Sequence, residues 1–305
     1  MTLLSNQAHP DRAVTLLDCT LRDGGYLNGH DFSAPQIDAI LTRLLASGVD
    51  VIEVGYFRRR NVEQHPSTVV ARCPHAFLAS LARTEAVRYG VMVPPGDAEP
   101  ADLDELADLP VPVVRFTCTD QNLPKVLALG ERAARLGLVA CANITRVSER
   151  SLTQLAAITR ALAEAGFDTL YAADSNGALY PDEVAAIIGE MRRHFAGQIG
   201  FHAHDSLHLA FANALAAMRA GASWIDGTIG GVGKGGGNAA IEVLLSELAK
   251  VDARPIDIAG FSQMPASFPH DFFPVRFKER LDNVFYGRNN LNIDKIKSLE
   301  SRPSL

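Results

Sequence analysis

Two histidines separated by a single residue stand out in the segment FHAHD at 201–205. Successive side chains of a β-strand point to opposite faces, so His202 and His204 are expected to share one face. Phe201 and Ala203 would occupy the other face, which suits packing against helices. Two imidazoles on one face form a good pair of metal ligands. Two interior histidines with separate hydrogen-bond partners are the alternative interpretation.

The segment DCTLRDGGY at 18–26 supplies charges of both signs beside two glycines. The glycines permit a sharp turn after a strand, and the segment is expected to place Asp18, Arg22 and Asp23 at a common mouth. Asp23 is suited to supply an anionic oxygen ligand to a metal, with Arg22 as a fixed cation beside it. A structural Arg–Asp pair that stabilises the turn is the alternative.

A glycine-rich segment, GGVGKGGGN at 230–238, follows the last predicted strand. Three of its glycines match the GxGxxG pattern of dinucleotide loops: Gly231, Gly233 and Gly236. That pattern belongs to the first βα turn of an open sheet, so its position here disfavours a dinucleotide site. Glycine also follows the lysine where a Walker A loop needs Ser or Thr. Asn238 is expected either to cap the last helix or to direct its side-chain oxygen towards the metal.

The elements that must position these segments alternate between short apolar runs and longer amphipathic ones. The predicted strands span 15–20, 49–55, 89–94, 111–117, 138–144, 168–174, 198–204 and 224–230. Helical patterns, with apolar residues at i, i+3, i+4 and i+7, include 35–48, 123–137, 151–166, 181–195, 207–221 and 238–251. Apolar strands alternating with helices indicate a parallel sheet that is buried on both faces. Eight such units predict a closed (β/α)8 TIM barrel, with an open doubly wound sheet as the alternative.

Composition narrows the class of protein. The 305-residue chain has a formal charge of −6 and no basic run, which argues against a nucleic-acid or anionic-membrane surface. The pattern of a signal peptide is missing, and no apolar stretch approaches the roughly 20 residues of a membrane helix. Scattered cysteines predict reduced thiols in a cytoplasmic protein. We assign residues 1–254 to the catalytic barrel and 255–305 to an extension that forms a cap or an oligomer contact.

Together these segments resemble the DRE-TIM metallolyases, the HMG-CoA lyase-like barrels, and most of all the catalytic domain of 4-hydroxy-2-oxovalerate aldolases. The matching segments are TLRDGG (20–25), IEVGYF (52–57), ADSNGALYPDE (173–183), FHAHDSLHLAFANALAA (201–217) and GTIGGVGKGGGNAAIE (227–242). The resemblance implies that Asp23, His202 and His204 bind a divalent ion, with Asn238 as a further ligand. Mn²⁺ is the expected ion, while Mg²⁺, Co²⁺ and Zn²⁺ suit similar donors.

The resemblance also assigns residues around the metal. The implied catalytic residues are Arg22, Tyr26, Glu53 and Asp174, and the implied substrate-binding residues are Arg22, Asn143 and Ser175. For the two acidic residues, a buried carboxylate tied to a neighbouring cation is the alternative. Tyr26 stands where the family's aldolases have a histidine that moves the hydroxyl proton. Because a tyrosine with the ordinary pKa of about 10 is a poor base at neutral pH, Tyr26 is expected to orient the substrate and the base stays unassigned.

The implied activity is metal-dependent cleavage or formation of a carbon–carbon bond, converting a 4-hydroxy-2-oxo acid to pyruvate and an aldehyde. A homo-oligomer is expected, but not the acylating dehydrogenase partner of the family's aldolases, because the segment after 255 differs from their docking region. Arg58, Arg59 and Arg60 suggest an anionic group on the aldehyde, unless they form a solvated loop.

Three alternative functions remain open at this point. A Claisen-type enzyme that condenses acetyl-CoA with a 2-oxo acid belongs to the same superfamily, although such enzymes usually carry an acidic residue after RDG, where this chain has Gly25. A non-haem iron oxygenase also uses two histidines and a carboxylate, usually with HxD spacing. The last alternative is a non-catalytic barrel that serves as a binding subunit.

Overall fold

Eight short strands pair in parallel in the computed structural model of the protein, each with the next along the chain and the eighth with the first. The structure describes residues 14–250, 256–257, 259–268 and 272–273. The strands are β1 (Thr15–Asp18), β2 (Val51–Tyr56), β3 (Arg88–Val93), β4 (Val113–Cys118), β5 (Val139–Ile144), β6 (Thr169–Asp174), β7 (Gln198–Ala203) and β8 (Trp224–Gly227). All eight predicted strands are confirmed, and the closed barrel overturns the open-sheet alternative.

The helices cover the outside of the barrel. They are α1 (Ala34–Leu45), α2 (Val69–Arg72), α3 (His75–Ser80), α4 (Leu123–Arg135), α5 (Leu152–Glu164), α6 (Pro181–His194), α7 (Ala210–Arg219) and α8 (Ile241–Leu248). Each predicted helical segment overlaps one of them. Local sequence sets their starts: at α5, for example, Ser151 and Gln154 form a reciprocal capping box that satisfies free backbone N–H groups. Between β3 and β4 the chain crosses over with a 3₁₀ helix, Pro100–Leu106.

The barrel interior changes in character along its axis. Towards the amino ends of the strands, the interior is filled by an apolar cluster of Leu17, Cys19, Val51, Val113, Cys141, Tyr171 and Trp224. Further towards the carboxyl ends of the strands, buried positions become charged or polar, namely Glu53, Arg115, His202 and Asp226. Side chains two residues apart on one strand share a face, so Val51 and Glu53 both point inwards. The apolar cluster therefore supports a buried polar layer at the end of the barrel where (β/α)8 enzymes place their active sites.

The described part of the predicted extension packs against α1. Asp257 forms an ion pair with Arg43 at 2.6 Å, and Phe32 contacts the rings of Phe268 and Phe272. The remainder of 255–305 lies outside the described residues, so its role as a cap or oligomer contact stays a prediction. The four cysteines are free and buried, as expected. Within the described ranges, no helix is long and apolar enough to span a membrane.

Candidate metal centre and active site

Three predicted metal ligands converge at the mouth of the barrel. Asp23 Oδ2 lies 4.0 Å from His202 Nε2 and 3.9 Å from His204 Nε2. Candidate ligand atoms of the three residues all lie within 4.8 Å of one another, and all three residues are buried. One carboxylate oxygen and two imidazole nitrogens around a common point form a donor set that suits a divalent metal ion.

The other ring nitrogen of each histidine has a fixed partner. His202 Nδ1 lies 2.9 Å from Asp226 Oδ2, and His204 Nδ1 lies 3.0 Å from the carbonyl oxygen of Gly237. Because both partners are acceptors, each Nδ1 is the protonated nitrogen and each Nε2 presents a lone pair to the common point. Burial, together with the neighbouring imidazole, lowers the pKa of His204, which favours the neutral form that binds metal.

Asn238 lies against the same carboxylate. Its Nδ2 donates hydrogen bonds to Asp23 Oδ2 at 2.5 Å and to the Val232 carbonyl at 3.1 Å. Its Oδ1 is buried with no hydrogen-bond partner. Gly233 makes this approach possible, because a Cβ at that position would lie 1.9 Å from Asn238 Nδ2. An unpaired buried oxygen beside three convergent ligands fits a divalent ion better than it fits a closed structural network.

Arg22 connects this cluster to the barrel interior. Its Nη1 lies 3.0 Å from Asp23 Oδ1, and its Nε lies 2.6 Å from Glu53 Oε2. Its Nη2 is buried with no hydrogen-bond partner. Burial works to raise the pKa of Asp23, but Arg22 and the two imidazoles outweigh it and the pKa lies below its usual range. The guanidinium is thus held in place on two sides and keeps a free donor beside the metal ligands.

Two buried residues that sequence reasoning missed complete the polar layer. Arg115 Nη1 lies 3.1 Å from Glu53 Oε1, and Arg115 Nη2 pairs with Asp226 Oδ2. Asp226 is the carboxylate that orients His202. Both had a signal in the sequence: each is a lone charge within an apolar strand, and a metal-binding histidine usually needs an acceptor behind it.

At the open side of the mouth lies a cluster of aromatic and basic groups. The hydroxyl of Tyr26 lies 3.0 Å from that of Tyr56, and the ring of Tyr26 packs edge-on against His30. His30 Nε2 donates to the Arg22 carbonyl at 2.9 Å. The ammonium of Lys234 lies 5.4 Å from the centre of the Tyr26 ring. Tyr26 is partly exposed, so it borders the site without closing it.

The remaining predicted site residues have other contacts. Both carboxylate oxygens of Asp174 accept backbone N–H groups, from Ala178 at 3.2 Å and Leu179 at 3.1 Å. The Oγ of Ser175 accepts the backbone N–H of Arg146, which joins two loops. These contacts account for both residues as loop anchors, and their catalytic and substrate-binding roles stay predictions.

Two other predicted site residues, Asn143 and Glu53, differ in whether their side chains already have partners. Asn143 is buried on β5, and its Oδ1 has no hydrogen-bond partner, so it retains an unused acceptor. Its assignment to substrate binding stays a prediction. Glu53, by contrast, is fully buried and paired with two arginines, so its contacts match the alternative of a carboxylate tied to cations.

Asp18 lies at the carboxyl end of β1, but its side chain does not join the cluster of predicted metal ligands. It is the last residue of β1 and fully buried, and it accepts hydrogen bonds from the N–H and hydroxyl of Thr20 at 2.9 and 2.8 Å. Strand alternation separates it from the inward-facing Leu17 and Cys19. Burial raises its pKa to about 7.

The three consecutive arginines after β2 are already paired with carboxylates. Arg58, Arg59 and Arg60 form ion pairs at 2.8, 2.6 and 2.9 Å with Asp97, Glu105 and Asp102, respectively. These carboxylates follow β3, so the arginines hold two neighbouring loops together. The charges of the three arginines are thus compensated within the protein, and contact with an anionic group of the substrate stays a prediction.

Comparison with known proteins gives this barrel a family. Residues 118–259 match the HMGL-like family. Over 261 residues the chain is 33% identical to a 4-hydroxy-2-oxovalerate aldolase of Chloroflexus aurantiacus, covering 83% of this chain and 74% of that one. A 4-hydroxy-2-oxohexanoate aldolase of Mycobacterium tuberculosis is 32% identical over 249 residues, covering 79% and 70%. The chain belongs to the HMGL-like family, and within it the protein is a carbon–carbon lyase.

Solved structures agree on the architecture. The hydroxymethylglutaryl-CoA lyase of Pseudomonas aeruginosa matches with a TM-score of 0.72 over 90% of this chain and 99% of that chain. Sequence identity in that comparison is 20%, so the likeness shows the shared fold alone. The HMGL-like family is metal-dependent, in keeping with the cluster around Asp23.

Proposed function

We propose that the protein is a divalent-metal-dependent aldolase that interconverts a 4-hydroxy-2-oxo acid with pyruvate and an aldehyde. The observation that carries the proposal is the convergence of Asp23, His202 and His204 beside the free Nη2 of Arg22. The names of the relatives support the same substrate class. A cytoplasmic location and a homo-oligomeric state remain predictions from the sequence.

Asp23, His202 and His204 would hold the ion, with Asn238 as a further ligand through its unpaired Oδ1. For that role the carboxamide must turn, because its nitrogen now faces Asp23. When bound, the ion supplies a Lewis acid that polarises the 2-oxo group of the substrate. We propose Mn²⁺ because the site mixes imidazoles with carboxylate and carboxamide oxygens.

Arg22 would stabilise the charge that develops during cleavage. When the C4 hydroxyl loses its proton, the C3–C4 bond breaks and its electron pair moves through C3 to the oxygen at C2. The aldehyde departs, and C3 of the resulting enolate takes up a proton to give pyruvate. A donor that is already in place at the developing oxyanion lowers the barrier without reorganisation, and Arg22 Nη2 is such a donor.

Tyr26 would contribute to binding and orientation. Its hydroxyl has a partner in Tyr56, whose own pKa is raised well above the ordinary value by burial. A neutral tyrosine pair donates and accepts hydrogen bonds, and it is unsuited to remove a proton at neutral pH. The base that accepts the hydroxyl proton stays unassigned.

The test is pyruvate release from a panel of 4-hydroxy-2-oxo acids by protein stripped with chelator and then supplied with Mn²⁺. We expect stripping to abolish release and Mn²⁺ to restore it. His204→Gln should lose the activity, whereas His208→Gln should keep it, because the His208 side chain is 91% exposed and outside the cluster. Pyruvate release that continues unchanged in the presence of chelator would refute the proposal. Thiol release from acetyl-CoA in the presence of a 2-oxo acid would favour the Claisen alternative.

A further inference from the structure

Arg115 lies at the centre of the barrel and contacts neither the mouth nor the solvent. It is fully buried on β4, yet its partners are on β2 and β8. Three strands separate β4 from β8 in either direction around the barrel, so the side chains of Arg115 and Asp226 meet inside the barrel from opposite walls. The face of Tyr171, 4.3 Å from the guanidinium carbon, supports the Arg115 side chain.

Each partner of Arg115 has a second task at the proposed active site. Glu53 holds Arg22, the proposed oxyanion donor, at 2.6 Å. Asp226 holds the Nδ1 of His202 at 2.9 Å. We propose that Arg115 is a positioning residue that couples the substrate-facing arginine to a metal-binding histidine. The inference rests on the proposed function, because it assigns a role within the same site.

The chemistry of the side chain explains why arginine suits this place. Its planar fork presents separate N–H groups, so Nη1 and Nη2 can each face a different carboxylate. A lysine in the same place is a single point charge and cannot hold both Glu53 and Asp226 in fixed orientations. A neutral residue would leave two buried carboxylates without the cation they share, and they would no longer be held in place.

The contacts of Arg115 with Glu53 and Asp226 form a bridge between the two carboxylates. Loss of this bridge has two separate consequences. A displaced Asp226 no longer accepts the hydrogen bond of His202 Nδ1, and loss of such a partner typically weakens metal binding about 10- to 100-fold. A displaced Glu53 releases Arg22, which lowers kcat even at saturating metal. We expect Arg115→Met to show both defects. Asp226→Asn should affect mainly metal affinity, and Glu53→Gln mainly kcat.

The decisive experiment is a double-mutant cycle of Glu53→Gln and Asp226→Asn, measured with and without Arg115. Mn²⁺ affinity is read directly from the electron paramagnetic resonance of the free ion, and kcat from pyruvate release at saturating Mn²⁺. Both carboxylates lie against Arg115, so we expect Arg115 to carry the coupling between them. With Arg115 present, we expect the effect of one substitution on Mn²⁺ affinity or kcat to change at least about threefold when the other substitution is added. In the Arg115→Met background, the two effects should be independent.

Two further variants keep the test decisive if Arg115→Met does not fold. Arg115→Lys retains the buried positive charge, and it should still lower either Mn²⁺ affinity or kcat about tenfold. Arg88→Met is the matched control, because Arg88 is another arginine in the barrel, beside Trp224, and it touches neither carboxylate of the bridge. Arg88→Met should leave Mn²⁺ affinity and kcat unchanged.

The outcomes separate the two proposals. Wild-type protein that binds no Mn²⁺ and releases no pyruvate defeats the proposed function. Wild-type protein that does both, but whose two substitutions act independently, defeats the positioning role of Arg115 alone. Full restoration of affinity and turnover by Arg115→Lys also overturns it, since a point charge would then suffice.

Discussion

Replacing Arg22 by methionine tests the proposed chemistry most directly. The substitution keeps much of the side-chain length and removes every N–H donor, including the buried Nη2 that has no partner in the protein. The metal ligands stay in place, because Asp23 keeps its contacts with the two histidines through Oδ2 rather than through the oxygen that faces Arg22. We therefore expect a loss of turnover with little change in Mn²⁺ affinity.

The expected loss of turnover follows from the proposed role of Arg22 as an oxyanion donor. Removing one preorganised oxyanion donor typically lowers kcat by about 10²- to 10³-fold, or about 3–4 kcal/mol of barrier. Breaking a buried ion pair also costs stability, about 3–5 kcal/mol, so thermal unfolding is measured beside pyruvate release at saturating Mn²⁺. Arg60→Met is the control, because Arg60 is an exposed arginine paired outside the cluster. A folded, metal-binding Arg22→Met protein with near-normal kcat would refute the assignment.

Three other substitutions test the surroundings. Burial raises the pKa of Asp18 from its ordinary value near 4 to about 7 in the folded protein. At a pH between these two values the folded chain keeps a proton that the unfolded chain has released. The free energy of unfolding should therefore fall by at most about 4 kcal/mol as the pH rises through this window. Asp18→Asn should flatten that fall in thermal unfolding between about pH 4 and pH 7; an unchanged slope would contradict the assignment. Gly233→Ala places a Cβ 1.9 Å from Asn238 Nδ2 and should weaken Mn²⁺ binding about tenfold or more, whereas Gly96→Ala, which meets open space, should not. Gly189→Ala in α6 also meets open space and should raise the unfolding free energy by about 0.5–1 kcal/mol in denaturant titrations; destabilisation would show a hidden clash.

Local pattern was enough to predict the barrel and the convergence of Asp23, His202 and His204. The eight strands are visible as apolar runs, and alternation along the predicted strand 198–204 places His202 and His204 on one face. Arg115 and Asp226 could not be paired in this way. Their contact joins residues 111 positions apart, and it depends on the closure of the barrel, which sets which strands face each other across the interior.

For several charged residues the sequence indicated the position of the side chain but not its contacts. Arg58 and its two neighbours look like a free cationic patch in the sequence, because the carboxylates that neutralise them follow a different strand. Asp174 ends β6, where an active-site carboxylate would lie, and its oxygens accept two backbone N–H groups of the loop that follows. A charge type and its place on a strand predict where a side chain lies. Only tertiary contacts show whether its charge is still available.

The distribution of buried charge indicates where an ion belongs. Glu53 and Asp226 each lie against Arg115, and Glu53 also meets Arg22. Three buried carboxylates thus share two guanidinium groups, which leaves about one negative charge in excess. That excess falls on Asp23, whose Oδ1 faces Arg22 while its Oδ2 faces only imidazoles and a carboxamide. Because buried charge needs compensation, the layer that fixes the ligands also favours a cation at the point where they meet.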